Sequence, residues 1–226
     1  MGDPRHPLQP GDPAPAFTLP AANREGMVSL ADLRGRPFLL GLFRGLHCPF
    51  CRRQVTQLAE IQPALRDAGV EILAVINTPV ERARLYFRYR TVPLLLLADP
   101  DCNTHRAFGV PSVGFLPEGS SEPPEWPVSA RMADFEAARI NPTGELPQPT
   151  QPMAANAALN VKDGFEPDET DSAIMASHPT QLVGHFLVDG SGTIAWANIE
   201  ARDGPSSLCY FPDAAQIMAA VGAVGR

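Results

Sequence analysis

No run of the 226-residue sequence approaches the roughly 20 apolar residues that a bilayer-spanning helix needs. The longest apolar runs, Pro37 to Phe43 and Pro93 to Ala98, have the length of strands. Met1 to Pro7 holds no apolar stretch of signal-peptide type, so the expected compartment is the cytoplasm and no membrane partner is expected. Basic charge is also in deficit: 18 Lys and Arg face 25 Asp and Glu, a net charge of −7, which argues against general nucleic-acid binding. Cysteine is sparse, with four in all, and structural disulfides are rare in the cytoplasm, so these read as reactive or buried thiols. No metal, flavin, haem or nucleotide motif appears, and Gly190-Ser191-Gly192 reads as a hairpin turn instead of a phosphate loop. No internal repeat is visible, and no cofactor is expected.

What the chain does have is proline. Its 25 prolines are about twice the usual share, and many lie outside the periodic segments, which predicts long ordered loops around a packed body. Thr18-Leu19 gives a short strand signal, and Phe38 to Phe43, apolar on both faces, suits the centre of a covered sheet. A helix with Val55, Leu58, Ile61 and Leu65 at helical spacing follows, with a kink or restart expected at Pro63 and a stop at Gly69. Val70 to Asn77 reads as a strand, Pro79 to Tyr89 as a helix, Leu94 to Leu97 as a strand, and Asp101 to Phe108 as a helix closed at Gly109. This alternation predicts parallel strands with crossovers. From Pro111 to about Thr180 the pattern breaks into a proline-rich, acidic insertion with one helix expected near Ala130 to Arg139. A hairpin, Gly184 to Asp189 and Thr193 to Ala197, and a helix from Pro212 to Val221 complete the body. The expected fold is α/β: a central mixed sheet flanked by helices, one domain over residues 10–222, with the insertion 111–180 before the C-terminal hairpin.

Chemistry concentrates on Cys48-Pro49-Phe50-Cys51, which directly follows an apolar strand and opens a helix. A helix N-terminus presents unpaired N–H groups and the positive end of the macrodipole, and both favour thiolate at Cys48. Pro49 suits the first helical position, where a missing N–H costs nothing. Arg44, Arg52 and Arg53 add positive charge, and His47 adds more when protonated. Such settings bring a thiol from about 8.5 into the range of about 3.5 to 7.5. Cys51 lies one turn beyond Cys48, within disulfide reach, so one thiolate attacks and the other thiol resolves.

Other readings of these residues are weaker. A zinc site needs a second ligand pair, but Cys102 and Cys209 are isolated and His105 lies too close to Cys102. Cys102 and Cys209 read as core thiols and His185 as a satisfied structural histidine. Arg82, Arg84, Arg88 and Arg90 read as a solvated helix face, and Trp126, Phe135 and Ile140 as side chains pinning the insertion to the domain.

Gly11 to Phe17, Leu30 to Pro37, the cysteine loop, Arg106-Ala107-Phe108-Gly109-Val110 and Phe186 to Ile194 together resemble the alkyl hydroperoxide reductase/thiol-specific antioxidant family, the peroxiredoxins, over about residues 10–110 and 181–222. The resemblance implies a thioredoxin-like fold, Cys48 as the peroxidatic cysteine and Cys51 as the candidate resolving one. It also implies a thiol reductant such as thioredoxin or glutathione, and dimers as a family-level expectation. Three family positions differ: the loop proline falls on Gly41, the loop threonine on Gly45, and the arginine six residues before the hairpin aspartate on Val183. Three functions stay open. They are peroxide reduction through Cys48 with Cys51, towards which the resemblance leans, disulfide exchange of the thioredoxin or glutaredoxin kind, and a non-enzymatic redox sensor whose insertion binds a partner.

Overall fold

The computed structural model describes residues 7–224. A small antiparallel ribbon comes first, β1 (Thr18–Pro20) with β2 (Met27–Ser29). The body follows as β3 (Phe38–Phe43), α1 (Pro49–Asp67), β4 (Glu71–Ile76), α2 (Val80–Phe87), β5 (Leu95–Ala98) and α3 (Asn103–Ala107). Next come β6 (Gly114–Phe115), β7 (Ser129–Ala130), α4 (Met132–Ala137), α5 (Pro152–Lys162) and α6 (Glu169–Ser177). The chain closes with β8 (Gly184–Val188), β9 (Ile194–Ile199) and α7 (Ala214–Val224). Among the described residues, no helix is long and apolar enough to cross a membrane.

The main sheet runs β5-β4-β3-β8-β9, parallel among the first three and antiparallel from β3 through β8 to β9. It is the expected mixed α/β sheet with helices against it, and the hairpin expected near residue 190 supplies its antiparallel half. β3 is central because all six of its residues are buried, which suits a strand covered on both faces. Gly41 in this strand leaves room for a ring: a Cβ there would stand 2.4 Å from Phe43 Cε2. That ring meets His185 of the neighbouring strand edge-on, with centroids 5.3 Å apart.

Two expectations need correction. Of the kink or restart expected at Pro63, the restart does not occur, for α1 is one element from Pro49 to Asp67. Leu58 and Leu65, on either side of Pro63, are fully buried, and that packing outweighs one missing intrahelical hydrogen bond. The 111–180 segment carries three helices where one was expected. α5 begins at Pro152 in the first turn, with the Gln151 side chain accepting from the Met153 and Ala154 N–H groups. α6 begins with a reciprocal cap between Asp168 and Asp171. Both helices are weakly amphipathic, so their starts were written in caps while their faces gave little periodic signal.

Polar ties hold the segment to the body. Arg53 of α1 pairs with Glu145 and with Asp163, the latter at 2.8 Å, and Arg52 lies over the Phe165 ring with its guanidinium 4.2 Å from the centroid. Arg82 pairs with Asp168 at 2.8 Å and with Asp171, so it belongs to this junction and not to a solvated face. Trp126 Nε1 donates to the Ala201 carbonyl at 2.6 Å, Phe135 meets Phe115 edge-on, and Ile140 is fully buried. Trp126 thus ties the segment to the body, as expected, while the Phe115–Phe135 contact lies within the segment itself.

Candidate active site

The site lies in the short loop between β3 and α1, at the carboxyl end of the central strand. Cys48 is the N-cap of α1, and its Sγ accepts the Cys51 backbone N–H at 3.2 Å, the role usually taken by a serine or aspartate oxygen. Pro49 occupies the first turn and Cys51 follows in the same turn. All four cysteines are unbridged.

Arg44 sets the electrostatics. Its Nε donates to Cys48 Sγ at 3.5 Å. Its Nη1 and Nη2 meet Glu200 Oε2 and Oε1 end-on, both at 3.0 Å. Glu200 is 1% exposed, and its remaining lone pairs accept the backbone N–H groups of Val183 at 2.8 Å and Cys209 at 2.6 Å. The carboxylate is thus saturated, and the guanidinium it holds is aimed at sulfur. The family arginine position, Val183, contributes only its backbone here, and the cation reaches Cys48 from four residues upstream.

Burial alone would push the Cys48 thiol up, but the Cys51 thiol, the Arg44 charge and hydrogen bond, and the Cys51 N–H together bring it down to about 6. Cys51 moves the other way: burial and its hydrogen bond to Cys48 hold its proton well beyond the usual thiol range. One anionic sulfur and one protonated sulfur therefore share the first turn, the division of labour that attack and resolution require.

His47 is brought beside Cys48, but it does not add the positive charge the sequence suggested. Burial, with Arg44 and Arg52 nearby, pushes it down to about 4, so its ring is neutral at pH 7. The threonine missing at Gly45 is explained by space. A Cβ there would lie 2.9 Å from Asn77 Oδ1, 3.0 Å from His47 Nδ1 and 3.0 Å from Thr78 Oγ1. Other residues stand apart. Cys102 is fully buried, accepts from Asn77 Nδ2 at 3.4 Å and is pushed up by burial to about 11, as a core thiol should be. His185 is core too, but neither ring nitrogen has a hydrogen-bond partner, and burial pushes it down to about 3. Among the described residues, no group of three His, Cys, Asp or Glu is placed to hold a metal ion.

Two functional neighbours were missed. Glu200 is a single acid after an alternating strand, and nothing local marks it. Cys209, read as a core thiol, is half-buried at the site, with Arg44 Nη2 3.3 Å from its sulfur. A cleft of about 480 Å³ opens onto Cys48, Arg44, His47 and Cys209. Its walls come mainly from the 111–180 segment: Phe115, Met132, Phe135, Met153 and Met175, with Phe50 of α1 and Leu208 opposite.

The chain is similar to Peroxiredoxin Bcp of Escherichia coli K12, 30% identical over 105 residues that make up 46% of this chain and 67% of that protein. A Mycobacterium tuberculosis relative is 32% identical over 102 residues, 45% of this chain and 64% of its own, so the chain spans about two thirds of the length of the curated relatives it matches. Among solved structures, a reduced 2-Cys peroxiredoxin of Plasmodium vivax superposes with a TM-score of 0.57 at 13% identity, over 96% of this chain and 82% of that one. Peroxiredoxin Q of Xanthomonas campestris superposes with 0.54 at 14% identity, over 93% and 92%. At these identities the likeness shows the thioredoxin-like fold alone. The family is shown by sequence: residues 10–124 match the AhpC/TSA family model, half of the chain, and the chain belongs to the AhpC/TSA family.

Proposed function

We propose that this protein is a thiol-dependent peroxidase with Cys48 as its nucleophile and Cys51 as a resolving thiol. The observation that carries the reading is the Cys48 sulfur accepting from Arg44 Nε at 3.5 Å and the Cys51 N–H at 3.2 Å, contacts that favour its thiolate, in the lining of a cleft. The thiolate attacks the terminal oxygen of a hydroperoxide and the O–O bond breaks, giving Cys48 sulfenic acid and, after protonation, an alcohol or water. The Cys51 thiol then attacks the Cys48 sulfur, forming a disulfide and releasing water. An external dithiol or glutathione returns both thiols, two electrons per turnover.

The cleft wall supports organic hydroperoxides as the better substrates. Met132, Met153 and Met175 are 48%, 51% and 38% exposed there, and flexible thioethers adapt to varied apolar groups. The test is peroxide consumption by wild type and Cys48→Ser, with hydrogen peroxide and cumene hydroperoxide compared. Cys48→Ser should lose both activities, and a Cys48→Ser protein that kept them would overturn the reading. Met132→Ser with Met175→Ser should lower the rate with cumene hydroperoxide and spare that with hydrogen peroxide.

A second reading, disulfide exchange, rests on the same low and high thiols three residues apart at a helix start. Titration in glutathione buffers separates them: a Cys48–Cys51 couple between about −270 and −120 mV, together with peroxide reactivity no better than a free thiol, would favour exchange.

A further inference from the structure

Cys48 and Cys51 are 1% and 2% exposed, so a disulfide between them offers an external reductant little sulfur to attack. Cys209 is half-buried and reaches the cleft. It follows β9 in the chain, far from α1 in sequence, yet the same arginine holds both sulfurs. Arg44 gives its end, Nη1 and Nη2, to Glu200, and its side edge to sulfur: Nε to Cys48 at 3.5 Å and Nη2 to Cys209 at 3.3 Å. The two N–H bonds on that edge of a planar guanidinium point nearly parallel, so the sulfurs they meet stand side by side. Cys209 is also fixed in place. Its backbone N–H donates to Glu200 Oε1 at 2.6 Å, and its φ of 64° lies in the left-handed region, where a non-glycine residue is held by its surroundings.

We infer that Cys209, set beside Cys48 on one edge of the Arg44 guanidinium and open to the cleft, is a second resolving thiol that passes the oxidising equivalents outward. This rests on Cys48 being the peroxide-reactive thiolate. The Cys209 thiol attacks the sulfur of Cys48 sulfenic acid, the S–O bond breaks, a Cys48–Cys209 disulfide forms, and the thiol proton leaves with the hydroxyl as water. The same bond also forms by exchange, when Cys209 attacks Cys48 within a Cys48–Cys51 disulfide and Cys51 leaves as a thiol. An external dithiol then attacks the Cys209 sulfur, freeing Cys48 as the thiolate, and a second attack releases the reductant as its disulfide. Arg44 is a positioning residue here, since it orders both sulfurs and exchanges no electrons.

Peptide mapping tests this directly. Tryptic cleavage after Arg44 and Arg52 leaves Cys48 and Cys51 in one peptide, and cleavage after Arg202 places Cys209 in another. Reduced wild type and Cys51→Ser would each receive one equivalent of cumene hydroperoxide, then dimedone and an alkylating agent before digestion. The expected result is a disulfide joining the two peptides in both proteins, lost in Cys209→Ser. Cys48 trapped as sulfenic acid or bonded to Cys51, with Cys209 wholly alkylated, would overturn the inference and leave the peroxidase reading standing. Cys48 itself recovered as an alkylated thiol would overturn both. Wild type needs no substitution, so a poorly folded variant does not blunt the test.

Discussion

Arg44 and Glu200 form an end-on pair in the interior, two bonds of 3.0 Å, with the carboxylate 1% exposed and 156 residues away in sequence. Breaking such a pair from one side leaves an uncompensated buried charge, which costs about 3–5 kcal/mol. Glu200→Leu and Arg44→Leu should each lower stability by that order, and Arg44→Met with Glu200→Gln by distinctly less. Urea unfolding of the three proteins checks it, and a double-variant loss equal to the sum of the two single losses would mean the pair is not coupled.

Cys48 chemistry should follow its own ionisation. With the thiol brought down to about 6, alkylation by iodoacetamide should be near its plateau at pH 7 and fall about tenfold per unit well below pH 6. In Arg44→Met with Glu200→Gln the midpoint should rise towards the ordinary thiol value near 8.5, which lowers the reactive fraction at pH 7 roughly 30-fold. His47→Gln should leave the midpoint close to wild type, because the ring is already neutral there. A large upward shift in that variant would return the histidine to the electrostatics of the site.

Gly45→Thr, which places the family's residue in the loop, should not improve peroxidase activity. The new Cβ would press on Asn77, His47 and Thr78 at 2.9 to 3.0 Å, and overpacking of this kind costs typically about 1–3 kcal/mol. Thermal unfolding with and without the substitution measures the strain, and a stable, faster enzyme would show that this wall yields.

Part of this site was legible in the sequence because its logic is local. Cys48, Pro49 and Cys51 fall within one helical turn, and apolar β3 announces itself before them. Arg44 was visible as a nearby charge, though not its aim. Glu200 and Cys209 were hidden for the opposite reason: they meet Arg44 across 156 and 165 residues, and no spacing rule links a β9 terminus to a loop before α1. The cleft was hidden likewise, since Met132, Met153 and Met175 come from separate stretches of a segment with little periodic signal. His185 misled because alternation places a ring in the core without showing whether its nitrogens find partners.

Acid should unfold the protein through its buried histidines. His47 and His105 are pushed down by burial to about 4, and His185 to about 3, while an unfolded histidine titrates near its ordinary 6.5. A folded value below the unfolded one means the neutral ring is favoured by the fold. The stabilising contribution is therefore complete above pH 6.5 and lost as pH falls towards 4 and 3. Near pH 5 the unfolded chain binds almost three more protons at these sites, so stability should fall by roughly 3–4 kcal/mol per pH unit. Glu145 titrates lower, at about 2, because Arg53 bonds it, Asp163 is pulled below the usual carboxylate range by Arg53 and Arg52, and the Cys48 thiolate acts above pH 6. Urea midpoints from pH 7 to pH 4.5 should trace this slope. His185→Leu, which removes a ring with two unpartnered nitrogens, should flatten it by about a third. An unchanged slope would mean that this ring takes up its proton without unfolding the core.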